Sequence, residues 1–308
     1  MGNSDSKLNF RKAVVQLSSK TQPIDAKEDS FWDQFWCESI NSVQDVFALI
    51  PAPEIRALRE ESPSNLATLI YKAVEKLVSS TDTLCNSTNQ QTLVLNGSRL
   101  LSRILPYIFE DPEWKGFFWS SLPSSNSSSP RLDSPLSENP TTENPPLAHS
   151  LIVAICDLLF CPDFTVPTLP ASKCKTGPFG SPDSPPEDLQ SIDSCEYIWE
   201  SGVGFTSATT SSASHDRNKT ELLRLLLTCF STTMYMTPNE ARAQPNRWIQ
   251  FFTSPANRHA LPLFTSLLNT VFSYEPAGNV AGFGLDLAGN NVSIFLFSRL
   301  SPLQSLNI

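Results

Sequence analysis

No stretch of this sequence reaches the roughly 18 consecutive apolar residues that a helix needs to cross a bilayer, so no membrane span is expected. The first twenty residues lack a continuous apolar core, and no secretory signal peptide is expected either. Without a route into the secretory lumen, the Asn-x-Ser/Thr triplets at Asn86, Asn96, Asn126, Asn218 and Asn291 are read as chance matches. The seven cysteines (Cys37, Cys85, Cys156, Cys161, Cys174, Cys195, Cys229) are odd in number and scattered through helical-looking segments. That is no disulfide framework, and reduced, buried thiols are expected instead. A basic excess is also missing. The net charge is −9 and the sequence pI about 4.9, which argues against a nucleic-acid partner, because phosphate binding needs a basic face.

Catalytic patterns are equally scarce. His149, His215 and His259 are isolated, with no His-Glu-x-x-His and no pair at metal spacing. Cys156 and Cys161 have no second pair to complete a zinc site. Glycine supplies only 11 of 308 residues, and none falls into a phosphate-cradling loop or a Gly-x-Ser-x-Gly elbow. Gly202-Val203-Gly204 and Gly282-Phe283-Gly284 lack the third glycine and preceding strand of a dinucleotide turn. No catalytic residue, metal, cofactor or small-molecule substrate is therefore expected. A rival reading is an enzyme built from scattered polar residues, such as His259 with Asp163.

What is present begins at the N-terminus. Met1-Gly2-Asn3-Ser4-Asp5-Ser6 fits the pattern for N-myristoylation of Gly2, with Lys7 directly after it. Phe10, Ala13, Val14 and Leu17 then recur at helical spacing, with Lys7, Arg11 and Lys12 on neighbouring faces. Residues 1–20 hold four cations against one acid, a net +3 that leaves −12 for the rest of the chain. One myristoyl chain binds a bilayer only marginally, so a second signal is needed. Contact of Lys7, Arg11 and Lys12 with anionic lipid would supply it at about 1 kcal/mol each. The alternative for the apolar stripe is packing on the protein's own core.

The remainder reads as helix after helix. Asp29-Ser30 resembles a cap for one helix carrying Trp32, Trp36, Ile40, Val43, Phe47 and Ile50, ended by Pro51 and Pro53. A short helix through Ile55 and Leu58 follows, then one opened by Ser62-Pro63 and one carrying Leu93 to Ile108, in which Pro106 is a possible kink. Residues 147–160 are apolar nearly all round and read as a buried helix. Further helices are expected at 195–199, around Leu222–Phe230, and from Arg247 and Ala256 onward. Proline, 25 residues in all, clusters with serine in a few stretches, two of them linkers too polar to pack.

The expected organisation is a basic acylated segment 1–20, a helical block 21–120, a disordered linker 121–146, a buried helix 147–164, a second linker 165–190, a helical block 191–276 and a tail 277–308. Ser129, Ser134, Ser181 and Ser184 precede prolines in the linkers and are candidate phosphorylation sites. Strict two-residue alternation is nearly absent, so the fold is read as all-α, with stacked helical hairpins like an α-solenoid.

Several blocks resemble one family. They include Ser6-Lys7-Leu8-Asn9-Phe10-Arg11-Lys12-Ala13-Val14, Phe31-Trp32-Asp33-Gln34-Phe35-Trp36 and Glu60-Glu61-Ser62-Pro63-Ser64-Asn65-Leu66-Ala67-Thr68. Leu105-Pro106-Tyr107-Ile108-Phe109-Glu110-Asp111-Pro112, Asp157-Leu158-Leu159-Phe160-Cys161-Pro162-Asp163-Phe164-Thr165 and Asn257-Arg258-His259-Ala260-Leu261-Pro262-Leu263-Phe264 complete the set. Together they resemble the N-terminal part of the high-temperature-induced dauer formation family, a relative of dymeclin. The resemblance implies a non-enzymatic, N-myristoylated protein peripheral on the cytoplasmic side of Golgi membranes. It further implies work in secretory sorting and dense-core vesicle formation with trafficking proteins as partners. Gly2 carries over as the acylated residue. From about Gly278 the family pattern stops, which suggests a truncated form that leaves Leu267, Leu268 and Val271 without a stacking neighbour. A soluble adaptor that is never acylated is the competing expectation.

Overall fold

A computed structural model describes residues 2–19, 22–36, 42–120, 145–167, 198–200, 202–203 and 212–273. Twelve α-helices and three short 3-10 segments make up the regular structure of those residues, with no strand and one isolated bridge between Pro162 and Val166. The helices are α1 (Gly2–Ser19), α2 (Asp29–Trp32), α3 (Val43–Leu49), α4 (Ala52–Glu61), α5 (Pro63–Asp82) and α6 (Thr88–Phe109). They continue as α7 (Pro112–Lys115), α8 (Leu147–Leu159), α9 (Ala213–Phe230), α10 (Pro238–Ala243), α11 (Arg247–Phe252) and α12 (Ala260–Ser273). The all-α expectation of stacked hairpins holds. No helix among the described residues is long and apolar enough to cross a membrane.

Four helices form the centre. The α5–α6 hairpin lies beside α8 and α9, with α5 on α8, α6 on α9 and α8 on α9. Each start has a local cause. Ser62 leads directly into Pro63 at the first turn of α5, and proline is tolerated there because its missing N–H has no helical partner. Ser87 and Gln90 form a reciprocal capping box on α6, and the Ser212 side chain accepts from the His215 amide at the start of α9. α6 has neighbours on most sides and buries apolar residues from Val94 to Phe109. Pro106 sits in its last turns and does not end it, since only one helical hydrogen bond is lost there. α8 is apolar nearly all round for the same reason, packed on α5, α9, α11 and the 117–119 segment.

Buried polar groups tie distant segments to this centre. Asn65 donates to the Leu17 carbonyl at 3.2 Å and accepts from the Ile24 amide at 2.9 Å. Asn96 donates to the Trp36 carbonyl, and Arg103 Nε to that of Ile50, both at 3.0 Å. Arg99 pairs with Glu221 at 3.4 Å across 122 residues, joining α6 to α9.

Several local expectations need correction. Residues 29–49 are not one helix, because α2 gives way to a 3-10 turn at Asp33–Phe35 and α3 begins only at Val43. The cap position of α2 is Glu28, with no side-chain cap bond, rather than Asp29-Ser30. The tight turn lets Phe31, Trp32, Phe35 and Trp36 all point inward, and Phe35 meets the rings of Phe10 and Phe31 edge-on at 5.5 and 5.8 Å. Ile40 lies outside the described residues. Of the helix expected at 195–199, residues 195–197 lie outside the described residues and Ile198 and Trp199 are not helical, while α12 starts at Ala260 rather than Ala256. The core also reaches further than the linker boundary at 165: Thr165 and Val166 are buried, and the Thr165 hydroxyl donates to the Leu158 carbonyl at 2.8 Å.

Candidate functional site

α1 places the sequence-derived site residues. Its first residue is Gly2, and the helix packs on α3, α4 and the 33–35 turn. Phe10, Ala13, Val14 and Leu17 are 0–4% exposed, so the apolar stripe takes the core alternative. Lys7 Nζ lies 2.7 Å from Asp45 Oδ1 on α3. Arg11 forms a two-toothed pair with Glu54 on α4 and donates to the Leu49 carbonyl at 3.0 Å. The hydrogen bonds to Glu54 raise the Arg11 pKa above its ordinary value, against a smaller opposing effect of burial. Both pairs remain about one-third exposed, so each contributes on the order of 0.5 kcal/mol after solvent screening. Lys12 is exposed, and no ion pair among the described residues involves it. Ser129, Ser134, Ser181 and Ser184 lie outside the described residues.

The His259–Asp163 pair of the enzyme reading does not form. His259 Nε2 contacts Asp157 Oδ1 at 2.6 Å, not Asp163, and its ring stacks on Phe160. Arg258 reaches the same carboxylate at 3.2 Å, while Asn257 Nδ2 lies 3.8 Å from Cys156 Sγ. Asp163 instead occupies a left-handed turn, φ 59°, with its amide bonded to the Val166 carbonyl. Beside His259, the Cys156 thiol is pushed up to about 12 by burial, partly countered by Asn257. A thiol held protonated is a poor nucleophile and a poor metal ligand, and this arrangement works as packing that ties α8 to the start of α12. Cys85, Cys161 and Cys229 are also buried and free, as expected, whereas Cys37, Cys174 and Cys195 lie outside the described residues.

Sequence reasoning missed the acidic sockets. Asp45 and Glu54 lie 38 and 43 residues from their cations, on separate helices, and no local spacing announces them. It also missed the loop clamp at Gly202. Asn269 of α12 accepts from the Val203 amide at 3.0 Å and donates to the Glu200 and Val203 carbonyls. A Cβ on Gly202 would lie 2.5 Å from Asn269 Oδ1. The glycine therefore serves close backbone approach and not a dinucleotide.

A stack of helical hairpins headed by a glycine-initiated helix, its inner face fixed to the body, defines an all-α protein of packed helices. The model of the high-temperature-induced dauer-formation protein family matches residues 1–293, and the chain belongs to that family. It is 57% identical to Protein HID1 of Homo sapiens over 278 residues and 56% identical to that of Mus musculus, covering 90% of this chain in each case. A Schizosaccharomyces pombe relative, the Ubp5-interacting protein ftp105, is 26% identical over 99% of this chain and 38% of its own length. The chain spans about a third of the length of the mammalian relatives, 33% in both. No solved structure matches.

Proposed function

We propose that this chain is a non-enzymatic scaffold, peripheral on the cytoplasmic face of Golgi membranes, held there by a myristoyl group on Gly2. Its work would be secretory protein sorting and dense-core vesicle formation, through helical surfaces that bind trafficking proteins. The observation that carries the reading is the Met1-Gly2-Asn3-Ser4-Asp5-Ser6 pattern at the head of α1, in a chain of this family. The helix supports it physically: the body holds α1 through Phe10 and Leu17, so an acyl chain at Gly2 would tether the whole stack and not a loose tail.

The test is intact-mass analysis and membrane flotation of the chain and its Gly2→Ala variant from cells. A myristoyl mass increment, with flotation lost in Gly2→Ala, is the expected result. An unmodified N-terminus with equal flotation would overturn the anchor.

A second reading is a soluble helical adaptor that binds partner proteins without acylation. The name of the Ubp5-interacting relative favours it. Equal cytosolic partition of both forms, with a protein partner retained, would select that reading.

A further inference from the structure

We propose that the outward face of α1, formed by Leu8, Lys12 and Val15, is the surface that lies on the lipid bilayer beside the acyl group; this rests on the acyl-anchor reading above. A single myristoyl chain gives marginal, reversible binding, so an anchored chain needs a second contact. The sequence offers two candidates for it, the Phe10 stripe and the basic trio. The Phe10 stripe is spent, because Phe10, Ala13, Val14 and Leu17 are 0–4% exposed against the body. The basic trio is mostly spent too, because Lys7 and Arg11 already face Asp45 and Glu54.

The outer face is what remains. Leu8 is 52% and Val15 46% exposed, and both are large apolar side chains with exposed Lys12 between them. Positions 8, 12 and 15 are four and three residues apart, so they fall within an arc of about 60° on a helix of 3.6 residues per turn. Gly2 heads the same helix, about 9 Å along the axis from Leu8, close enough for its acyl chain to enter the same leaflet. Two apolar side chains flanking a lysine suit an interface, where the aliphatic stem of Lys12 lies along the lipid and its ammonium reaches the headgroups. The rest of the chain carries −12, so a bilayer of low negative charge fits better than a strongly anionic one. Dependence on anionic lipid is accordingly shallow, with one exposed cation on the face that no ion pair among the described residues engages.

The experiment uses the full chain co-expressed with an N-myristoyltransferase and floated with phosphatidylcholine vesicles, with and without phosphatidylserine. The variants are Gly2→Ala, Leu8→Gln with Val15→Gln, and Lys12→Leu. The double variant is expected to keep the acyl mass and the melting temperature of the parent while its partition falls about tenfold. Lys12→Leu widens the apolar face and is expected to raise partition onto pure phosphatidylcholine, so the face is tested by gain as well as by loss. An acylated double variant that floats like the parent, together with an unchanged Lys12→Leu, would overturn the assignment and leave the acyl anchor standing. No acyl mass on the parent chain would instead remove the anchor reading and this proposal with it.

Discussion

Replacing Phe10 by alanine separates the two roles that α1 could have. The side chain is fully buried and meets Phe35 edge-on at 5.5 Å, with an interplanar angle of 75°. Removing it deletes the transfer free energy of a whole ring and leaves a cavity against the Phe31–Trp36 cluster, a loss of about 3–5 kcal/mol. A domain has a stability of about 5–15 kcal/mol, so the change is a large part of the total. With a urea slope of about 2 kcal/mol per M, the unfolding midpoint falls by roughly 2 M. Leu8→Ala, two residues away on the exposed face, is expected to change stability by less than about 0.5 kcal/mol. Phe10→Leu keeps most of the volume, and its expected cost is below that of the alanine variant. The assay is urea denaturation followed by tryptophan fluorescence, which is apt because Trp32 and Trp36 sit beside the cavity. A Phe10→Ala midpoint no lower than that of Leu8→Ala would refute the docking of α1 and return the Phe10 stripe to the membrane.

Other expectations follow from single contacts. Gly202→Ala drives a Cβ to 2.5 Å from Asn269 Oδ1 at a φ of +155°, and is expected to destabilise the chain by about 1–3 kcal/mol in thermal unfolding. Coupling with Asn269→Ala in a double-mutant cycle checks the cause. Hydrogen bonds from Arg56, then the charges of Arg56 and Arg59, hold the Glu110 carboxyl below the ordinary glutamate range. Its stabilising effect is therefore full above the unfolded-state pKa and is lost as pH falls through the depressed folded-state value. Arg56→Ala should shrink the drop in urea midpoint between neutral and acid pH. Burial raises the Cys156 thiol to about 12 and pushes Cys229 up as well. Neither thiol is expected to alkylate at pH 8 in the folded chain, and peptide mapping before and after urea addition checks this.

The helices that were legible in the sequence are those whose apolar period is long enough to stand alone. α5, α6 and α8 run 20, 22 and 13 residues and are legible as helices, whereas only the Leu222–Phe230 half of the 18-residue α9 carries a readable apolar period. The segment 29–49 misled because Trp32, Trp36, Val43 and Phe47 keep a helical spacing across a 3-10 turn, and periodicity does not record the break. At six residues α10 is too short for an apolar period to announce it, and its only sequence signal is the capping box of Thr237-Pro238 with Glu240. At the N-terminus, period identified the right stripe but not its destination. That was decided by Phe35 and by two acids more than 35 residues away, which are tertiary choices. The carboxylate that meets His259 is a tertiary choice too, since Asp157 and Asp163 stand on one short segment and only the orientation of α8 tells them apart.

The buried pair between Arg99 and Glu221 also sets an order of events during synthesis. Its members are separated by 122 residues, so at about 5–20 residues per second the ribosome delivers the carboxylate roughly 6–24 s after the guanidinium. Through that interval the nascent α5–α6 hairpin carries a cation on the face that α9 later covers. The contact that joins α6 to α9 in the finished fold therefore becomes available only after the central hairpin has been synthesised.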